Sequence, residues 1–210
     1  MSEKTVTVRS VESVGPDTVA ITLESPDSFD AKPGQFVQLL LDVDGEEHAR
    51  HYTISSARVE ETFEITVGID PEGTVGPTLA ELERGDEVRV KGPFGRNHYE
   101  GEESVTLVVG GPGVGPAVGI AERVIQEGGD VAVVYRDDAH AHVDRLGAVA
   151  DAGGSVFLVG GDLDPAVDAA VEAVGGQVFV YGFAEFLEDA LDALDEAGAD
   201  TDAAKIENFG

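Results

Sequence analysis

The hydrophobic rhythm of this 210-residue chain changes about halfway along its length. Before about residue 101, short segments in which apolar and polar residues alternate, such as residues 18–23 and 63–67, are separated by turn residues. This pattern is typical of an antiparallel barrel. After residue 103, apolar segments such as residues 105–109 and 131–135 alternate with amphipathic segments of helical period. The second pattern predicts a parallel sheet covered on both faces by helices.

We therefore predict two consecutive domains, an antiparallel β-barrel over residues 1–101 and a parallel-sheet α/β domain over residues 102–210. A proline in the first turn and two glycines after the end mark the first helix of the second domain. The apolar spacing predicts four helices in that domain, over residues 116–127, 139–152, 164–174 and 184–197.

The chain carries 42 acidic and 13 basic residues, for a formal net charge of −29. This charge would repel nucleic acid and anionic lipid, so neither is expected as a partner. The acidic residues are spread along the whole chain, which favours a salt-rich cytoplasm where counterions screen self-repulsion. An acidic surface that serves solubility alone is the alternative. Without a long apolar run or a signal pattern, a soluble cytoplasmic protein is expected.

The chain contains no cysteine and five histidines. Without cysteine, these 210 residues cannot form disulfides, thiolate zinc sites or cysteine-ligated iron–sulfur clusters. Any iron–sulfur chemistry would belong to a partner. The histidines show no metal-ligand spacing. His140 and His142, for example, are two residues apart and would diverge on the predicted helix. We predict no metal site and expect the histidines to be solvated polar residues.

The sequence Arg50-His51-Tyr52-Thr53 carries the first candidate binding site. Arg50 and Tyr52 lie on one side of a predicted strand, because side chains alternate along it. A guanidinium matches the geometry of a phosphate group, and a tyrosine ring offers a flat stacking surface. Thr53 faces the other side and is able to hydrogen-bond a ring nitrogen. An ordinary exposed strand would give the same short pattern.

Two glycine-containing loops are candidate phosphate sites. The first loop opens a short helix, whose first N–H groups have no partner within the helix. Its candidate residues are Gly73, Thr74, Val75, Gly76 and Thr78. The second follows a buried strand and precedes a helix, as a dinucleotide-binding turn does. Its candidate residues are Gly111, Pro112, Gly113, Val114, Gly115 and Pro116. A turn that binds nothing is the alternative at both places.

The order of these motifs resembles the ferredoxin–NADP reductase family of flavoproteins, over nearly the whole chain. The resemblance implies an N-terminal FAD barrel and a C-terminal NAD(P) domain. The family's Arg-x-Tyr-(Ser/Thr) motif is similar to residues 50–53. Arg50 would then contact the FAD diphosphate, Tyr52 would stack on the isoalloxazine, and Thr53 would approach its reactive nitrogen, with His51 beside them. The family's Gly-x-x-Ser-x-x-Leu loop is similar to residues 73–79, except that Gly76 removes a hydroxyl contact.

The second domain departs from the family pattern at two positions. Its glycine turn is similar to the family's Gly-Gly-x-Gly-x-x-Pro, but Pro112 stands where Thr or Ser would lie near the nicotinamide. Tyr181 stands in the place of the cysteine of a Cys-Gly-Pro triplet, while Gly182 keeps close backbone approach possible. These changes put the fine positioning of the nicotinamide in doubt.

The closing segment and one arginine complete the candidate site. The segment is similar to the end of family members, which implies that Phe209 covers the flavin and that Glu207 acts near it. An ordinary terminal strand is the alternative. Arg136 follows the second strand of the nucleotide domain, where a basic group would meet a 2′-phosphate, whereas Asp137 and Asp138 suit a ribose diol. NADH and NADPH both stay open, with a slight preference for NADH.

The resemblance implies an FAD-dependent oxidoreductase. Hydride would pass from NAD(P)H to FAD beside Tyr52 and Thr53, with Glu207 nearby, and electrons would leave to an acceptor such as a ferredoxin. One alternative is an NAD(P)H:flavin reductase that uses flavin as a dissociable substrate. Another, motivated by Pro112 and Tyr181, is an FAD-binding electron-transfer subunit that turns over little alone.

Overall fold

The computed structural model describes residues 3–210 and contains one sheet in each half of the chain. The first half forms an antiparallel sheet of six strands, ordered β4-β3-β6-β1-β2-β5. Ile54 and Ile65 form a bridge that joins its two edges, so the sheet curls into a barrel. The elements are β1 (Lys4–Gly15), β2 (Thr18–Glu24), β3 (Phe36–Val43), β4 (Glu46–Thr53), β5 (Thr62–Gly68), α1 (Val75–Ala80) and β6 (Glu87–Phe94).

The second half forms a parallel sheet of five strands, ordered β11-β10-β7-β8-β9. Helices α2 and α3 pack on one face of this sheet, and α4 and α5 pack on the other. The strands are β7 (Ser104–Gly110), β8 (Asp130–Arg136), β9 (Ser155–Val159), β10 (Gln177–Gly182) and β11 (Lys205–Asn208). The helices are α2 (Val114–Glu127), α3 (Val143–Asp151), α4 (Asp164–Ala173) and α5 (Ala184–Glu196). The predicted fold class is confirmed, while a domain boundary at residue 101 stays a prediction.

The interior of each domain follows from its hydrophobic pattern. In the barrel, alternate residues of the strands point inward, and Val8, Ile21 and Leu23 are fully buried there. In the second domain, β7 is buried on both faces because helices cover both sides, which explains why its buried side chains are apolar except for Thr106, whose hydroxyl donates to the carbonyl oxygen of Gly175 at 2.8 Å. The two patterns therefore lead to two separate cores of different construction.

The helix predicted over residues 139–152 is wrong at its start, because α3 begins at Val143. His142 precedes it with a φ of +53°, which a helix does not accommodate. Its backbone N–H donates to the carbonyl oxygen of Val14 at 2.8 Å. The segment before α3 is therefore held by the end of β1, a contact that the local sequence does not reveal.

The expectation of solvated histidines is also wrong for His142, whose exposed fraction is 3%. Its Nε2 lies 2.8 Å from the hydroxyl oxygen of Thr66 on the barrel. Burial, with a smaller contribution from the charge of Arg145, lowers the pKa of His142 to about 4. The imidazole is therefore neutral at pH 7 and joins the two domains.

Helix α2 contacts the barrel so closely that only glycine fits at two positions. A Cβ on Gly115 would lie 2.6 Å from the Cβ of Thr66. A Cβ on Gly119 would lie 2.8 Å from the carbonyl oxygen of Ser55. Both distances are shorter than van der Waals contact allows, so these glycines permit the close approach of the two domains.

An ion-pair cluster anchors the same interface. The Arg145 guanidinium donates to Glu122 through Nε at 2.7 Å and Nη2 at 2.8 Å. It also donates to Glu64 of the barrel at 2.7 Å and to the carbonyl oxygen of Ser55 at 2.8 Å. Such multidentate contacts fix orientation more strongly than single exposed pairs. The two domains are therefore held in one arrangement by residues from both.

Two negative findings apply to residues 3–210. Among the described helices, none combines the length and the apolar character needed to cross a bilayer. No cluster of three or more histidine and carboxylate side chains in this range has the arrangement of a metal site.

Candidate functional site

A cavity of about 190 Å³ lies between the two domains, and we call it the ring cavity. Strand β4 supplies part of its lining from the barrel, and the turn before α2 together with the first turn of α2 supplies part from the second domain. Its lining residues are Arg50, His51, Tyr52, Thr53, Thr66, Gly68, Pro112, Pro116, Phe183 and Phe209. The structure thus brings the Arg50–Thr53 motif together with part of the glycine turn and with the end of the chain.

The walls of the ring cavity are aromatic and apolar, and its polar groups are few. Tyr52 is half-buried, and burial raises the pKa of its phenol to about 12, while the charge of Arg50 acts in the opposite direction. The phenol therefore stays neutral at physiological pH. Thr53 and Thr66 are almost fully buried and supply hydroxyl groups from neighbouring parts of the barrel.

Arg50 and His51 lie at the exposed rim of the ring cavity. The Arg50 guanidinium donates to the carbonyl oxygen of Ala49 at 2.9 Å and forms no ion pair within residues 3–210. Its other donors are available to an anion. A hydrogen bond of 3.1 Å joins the His51 ring to the side-chain amide of Gln38, which fixes the orientation of the ring.

The first glycine loop lies beside the ring cavity and contributes no side chain to it. Gly68 lines the ring cavity, and a Cβ on Gly76 would lie 3.6 Å from the carbonyl oxygen of Gly68. Val75 is buried, and the Thr78 hydroxyl donates to the carbonyl oxygen of Thr74 at 3.1 Å. Gly73 precedes this turn, with its N–H donating to Asp70 at 2.9 Å. The loop therefore lies next to a residue of the ring cavity but does not line the cavity itself.

The second glycine turn is divided between two cavities. Pro112 and Pro116 line the ring cavity, whereas Gly111, with a φ of +54°, lines a second cavity. The remaining candidates of this turn are buried: Gly113, Val114 and Gly115. Gly113 lies against the backbone of β10 and Gly115 against the barrel, so both glycines also serve packing.

The second cavity, of about 320 Å³, lies at the carboxyl ends of the parallel strands, and we call it the nucleotide cavity. Its lining residues are Gly110, Gly111, Arg136, Asp137, Asp138, Gly160, Phe183 and Phe186. Chain order reverses between β7 and β10, which lie side by side in the sheet. Ligands of open α/β sheets bind outside the strand ends at such a switch point.

Tyr181, which stands in the place of the family cysteine, lines neither cavity. It is fully buried, and its hydroxyl donates to the carbonyl oxygen of Asn97 at 2.9 Å. Burial, with a further contribution from the charge of Glu207, raises the pKa of this phenol. Tyr181 therefore ties β10 to the segment after the barrel, a structural role. Gly182 is close-packed too, since a Cβ there would lie 2.5 Å from the ring of Phe186.

The end of the chain meets the ring cavity at one residue only. The backbone N–H of Phe209 donates to the carbonyl oxygen of Gly182 at 3.0 Å, and its ring meets that of Phe183 edge to face at 6.3 Å. Glu207 is half-buried and lines neither cavity. Burial raises the pKa of its carboxyl group. Phe209 thus lies at the site, while Glu207 lies behind it.

Six lining residues were not predicted as site residues: Thr66, Gly68, Gly110, Gly160, Phe183 and Phe186. Thr66 and Gly68 reach the ring cavity because β5 curls round to meet β4, an arrangement without a local sequence signal. Phe183 was visible as an aromatic residue directly after the last long strand, and its half-exposed ring lines both cavities. The helical spacing of Phe186 is typical of a core residue, and the structure places its ring between Gly110 and Gly182.

The ring cavity fits one aromatic ring system with a polar edge and a phosphate chain. Its volume lies below the roughly 300–1,000 Å³ of pockets that enclose whole drug-sized ligands. It therefore holds only part of a dinucleotide. The aromatic walls suit stacking and the buried threonine hydroxyls suit a heteroatom edge. Arg50 at the rim, which has no ion pair within residues 3–210, suits a phosphate. The residues present thus fit FAD with its ring inside and its diphosphate outside.

Sequence comparison relates the first domain to flavin-binding proteins. Residues 5–99 match the model of the oxidoreductase FAD-binding domain. The glycine betaine monooxygenase reductase subunit of Chromohalobacter salexigens is 36% identical over 134 residues, which are 61% of this chain and 36% of that protein. NADH-cytochrome b5 reductase 1 of Eremothecium gossypii is 33% identical over 109 residues, 49% of this chain and 38% of that protein. The chain thus spans little more than a third of these relatives.

Solved structures share the fold of the whole chain. The FAD/NAD-binding domain of nitric oxide dioxygenase from Vibrio cholerae superposes with a TM-score of 0.83 at 21% identity, covering 99% of this chain and 98% of that one. A ferredoxin NADP⁺ reductase from Neisseria gonorrhoeae with bound FAD and NADP superposes with a TM-score of 0.78 at 16% identity, covering 100% of both chains. At these identities the likeness shows a common two-domain fold.

Proposed function

We propose that this chain is a ferredoxin reductase-like FAD-binding oxidoreductase that transfers electrons from NAD(P)H through FAD to an acceptor, a proposal that the match of its first domain and its fold support. The contact between the two cavities carries the proposal. They share Phe183, and the neighbouring residues Gly111 and Pro112 line one each. A dinucleotide held in the nucleotide cavity would therefore extend its nicotinamide towards the ring cavity.

The chain's own residues would position the flavin, whose ring supplies hydride acceptance and onward electron transfer when it is bound. Arg50 would donate to the diphosphate from the rim, and the backbone around Gly76 would line the path of the phosphates. Tyr52 would offer a neutral stacking face. The hydroxyls of Thr53 and Thr66 would hydrogen-bond the polar edge of the ring. His51 would contact the flavin from its fixed position beside Gln38.

The second domain would close the site and bring the nicotinamide. Pro112 and Pro116 would form the wall opposite Tyr52, where their rings exclude water but donate no hydrogen bond. Phe209 and Phe183 would cover the flavin from the remaining side. Glu207 would act from behind this cover as a positioning group.

The acceptor would be a separate redox centre. The proteins of similar sequence include reductase subunits of a monooxygenase and the electron transfer component of toluate 1,2-dioxygenase. These 210 residues contain no cysteine, so a cysteine-ligated cluster would lie outside them. We propose a ferredoxin-type acceptor of this kind. The net charge of −29 supports our proposal that the pair works in a salt-rich cytoplasm, where screening allows two acidic proteins to meet.

Anaerobic mixing of the FAD-loaded chain with NADH or NADPH tests the proposal, since bleaching of flavin absorbance requires hydride transfer. We expect bleaching with at least one nucleotide. We also expect Arg50→Ala to weaken FAD binding by about 10- to 100-fold, because a charge-assisted phosphate contact is lost. Tyr52→Ala should weaken it by about tenfold, because a stacking face is lost. Arg84→Ala, which removes an exposed arginine from the turn before β6, is the matched control and should retain FAD.

The same measurements separate the alternatives. FAD that is removed completely by dialysis from the wild-type chain, with turnover of added flavin, would instead indicate a flavin reductase. Tightly bound FAD that neither nucleotide bleaches would indicate an electron-transfer subunit that needs a partner. Full FAD retention by both Arg50→Ala and Tyr52→Ala would show that the ring cavity is not the flavin site.

A further inference from the structure

An arginine in the nucleotide cavity is already neutralised by its own chain. Arg136, at the end of β8, donates through Nη1 to the Asp189 carboxylate of α5 at 2.9 Å. Its Cζ lies 4.8 Å from the centre of the Phe186 ring, one helical turn before Asp189. The guanidinium is thus held between an aromatic face and a carboxylate, both supplied by α5.

This arginine is the cation that a 2′-phosphate would need. Arg136 lies opposite Gly110 in the sheet register, so its guanidinium lies at the cavity beside the glycine turn. It is the only Lys or Arg among the residues that line this cavity in the described chain. Binding a 2′-phosphate would require the Arg136–Asp189 pair to open and would leave the Asp189 carboxylate beside the phosphate. The negative charges of the carboxylate and the phosphate would repel each other, which lowers the affinity for a ribose that carries a 2′-phosphate.

The surrounding carboxylates favour an unmodified ribose. Asp137 accepts hydrogen bonds from the Tyr135 hydroxyl at 3.1 Å and from the backbone N–H of Ala139 at 3.2 Å. Asp138 is exposed, lines the cavity, and accepts no hydrogen bond from the described residues. A carboxylate at this place in an α/β nucleotide domain suits the ribose hydroxyls of NAD.

We infer, on the basis of the proposed function, that Asp189 is a specificity-determining residue that selects NADH over NADPH by keeping Arg136 engaged. Asp189 acts through Arg136 and does not itself contact the nucleotide. Its side chain is 55% exposed, so replacing it with the isosteric Asn removes a charge without disturbing the core. Asp189→Asn therefore releases Arg136 to bind a 2′-phosphate.

Calorimetric titration with ADP-ribose and with its 2′-phosphate measures this selection without any redox step. We expect the wild-type chain to bind ADP-ribose more tightly. In Asp189→Asn, the affinity for the 2′-phosphate should rise about tenfold, because a charge-assisted contact becomes available, while ADP-ribose changes by less than about twofold. The ratio of kcat/KM for NADPH to that for NADH should rise by a similar factor. In the Arg136→Gln background the Asp189→Asn effect should disappear.

Asp192→Asn is the matched control, because it removes the same charge one helical turn further along α5. Asp192 lines a cavity together with Arg136 but forms no ion pair with it among residues 3–210. An equal gain in Asp192→Asn, or a gain that persists without Arg136, would show general charge repulsion and would overturn the assignment of Asp189. Equal changes for both nucleotides in Asp189→Asn would overturn it as well. If no variant binds either nucleotide and neither coenzyme bleaches the flavin, the proposed function fails together with the inference.

Discussion

The ring cavity takes its lining from both domains, whereas the nucleotide cavity is lined by the second domain alone. The first exists only while α2 lies against the barrel. The second needs only the ends of the parallel strands and one face of α5. The flavin site is therefore a product of domain packing, and the nucleotide site is a product of the sheet.

The two halves of the chain, divided at the predicted boundary, also differ in charge. Residues 1–101 contain 20 acidic and 9 basic residues, and residues 102–210 contain 22 acidic and 4 basic residues. Among residues 3–210, the only Lys or Arg at the nucleotide cavity is Arg136 of β8, which is paired with the Asp189 carboxylate of α5, while Arg50 at the ring cavity has no ion pair. The barrel thus offers an available cation to the phosphates of its ligand. The second domain offers backbone groups and carboxylates to a bound nucleotide.

Gly119→Val should disrupt the ring cavity and leave the nucleotide cavity intact. We expect it to change stability and FAD binding more than any other substitution proposed here. The new side chain would overlap the carbonyl oxygen of Ser55, at the closest approach of α2 to the barrel. We expect a loss of stability of about 3 kcal/mol or more, because backbone on both sides must move. FAD binding should fall by more than about tenfold, while ADP-ribose binding stays within about threefold. Fluorescence and calorimetric titrations measure the two affinities.

Gly147→Val is the control for this change. Gly147 also lies inside a helix, α3, but a Cβ there would meet nothing within 4 Å. Its stability should change by less than about 1 kcal/mol, since valine is at least as good a helix residue as glycine. Parallel loss of both ligands in Gly119→Val would mean that the nucleotide cavity also depends on domain packing.

The sequence alone was sufficient to predict the parts of this molecule that depend on the local periodicity of apolar residues. Strand and helix types followed from alternation and from the spacing of apolar residues, because each domain buries one kind of face. Arg50, Tyr52 and Thr53 could be proposed together because a strand of known direction carries all of them. Pro112 could be placed opposite them only through the family resemblance.

The rest depended on contacts between domains, which no local pattern encodes. His142 has the composition of a solvated residue, yet the barrel provides the Thr66 hydroxyl and buries it. Gly115 was interpreted as a phosphate-binding residue and Gly119 was not singled out, while the structure shows that their missing side chains make room for Thr66 of β5 and for Ser55. The pair of Arg136 and Asp189 joins residues 53 positions apart. Its existence follows from how α5 packs on the sheet.

His142 should make the packed interface, and with it the ring cavity, sensitive to acid. Its pKa is about 4 in the folded chain, below the ordinary value of 6.5. The unfolded chain therefore binds more protons between pH 6.5 and pH 4, so stability is full above pH 6.5 and falls as the pH drops through this window. The loss attributable to His142 should reach roughly 2 to 3 kcal/mol at pH 4. Chemical unfolding at a series of pH values measures it.

His142→Asn isolates this contribution, because asparagine tolerates the positive φ at this position but does not titrate. The variant should be less stable than the wild type at pH 7 and should show a shallower loss between pH 6.5 and pH 4. His48→Asn, at a half-buried position between exposed residues of β4, should keep the wild-type pH dependence. An identical slope in the wild type and His142→Asn would mean that carboxylates alone govern acid unfolding.

Salt should sharpen the contrast between the cavities, with an effect of a few-fold. Residues 146–204 contain 13 acidic residues and no lysine or arginine, so the second domain repels the diphosphate of an incoming nucleotide. Raising KCl from 0.1 to about 1 M shortens the screening length from about 10 to about 3 Å. ADP-ribose binding should therefore tighten by roughly two- to fivefold, opposite to the usual weakening at a basic anion site, while uncharged adenosine serves as the control.

The same titration separates two effects of the acidic surface. If the chain is adapted to high salt, its melting temperature should rise with KCl, because counterions relieve self-repulsion in the folded state. Measuring binding well below the lowest melting temperature keeps this stabilisation out of the affinity. ADP-ribose that binds more weakly as salt rises would show that Arg136 attracts phosphate despite Asp189. A melting temperature that stays constant from dilute buffer to molar KCl would remove the basis for proposing a salt-rich cytoplasm.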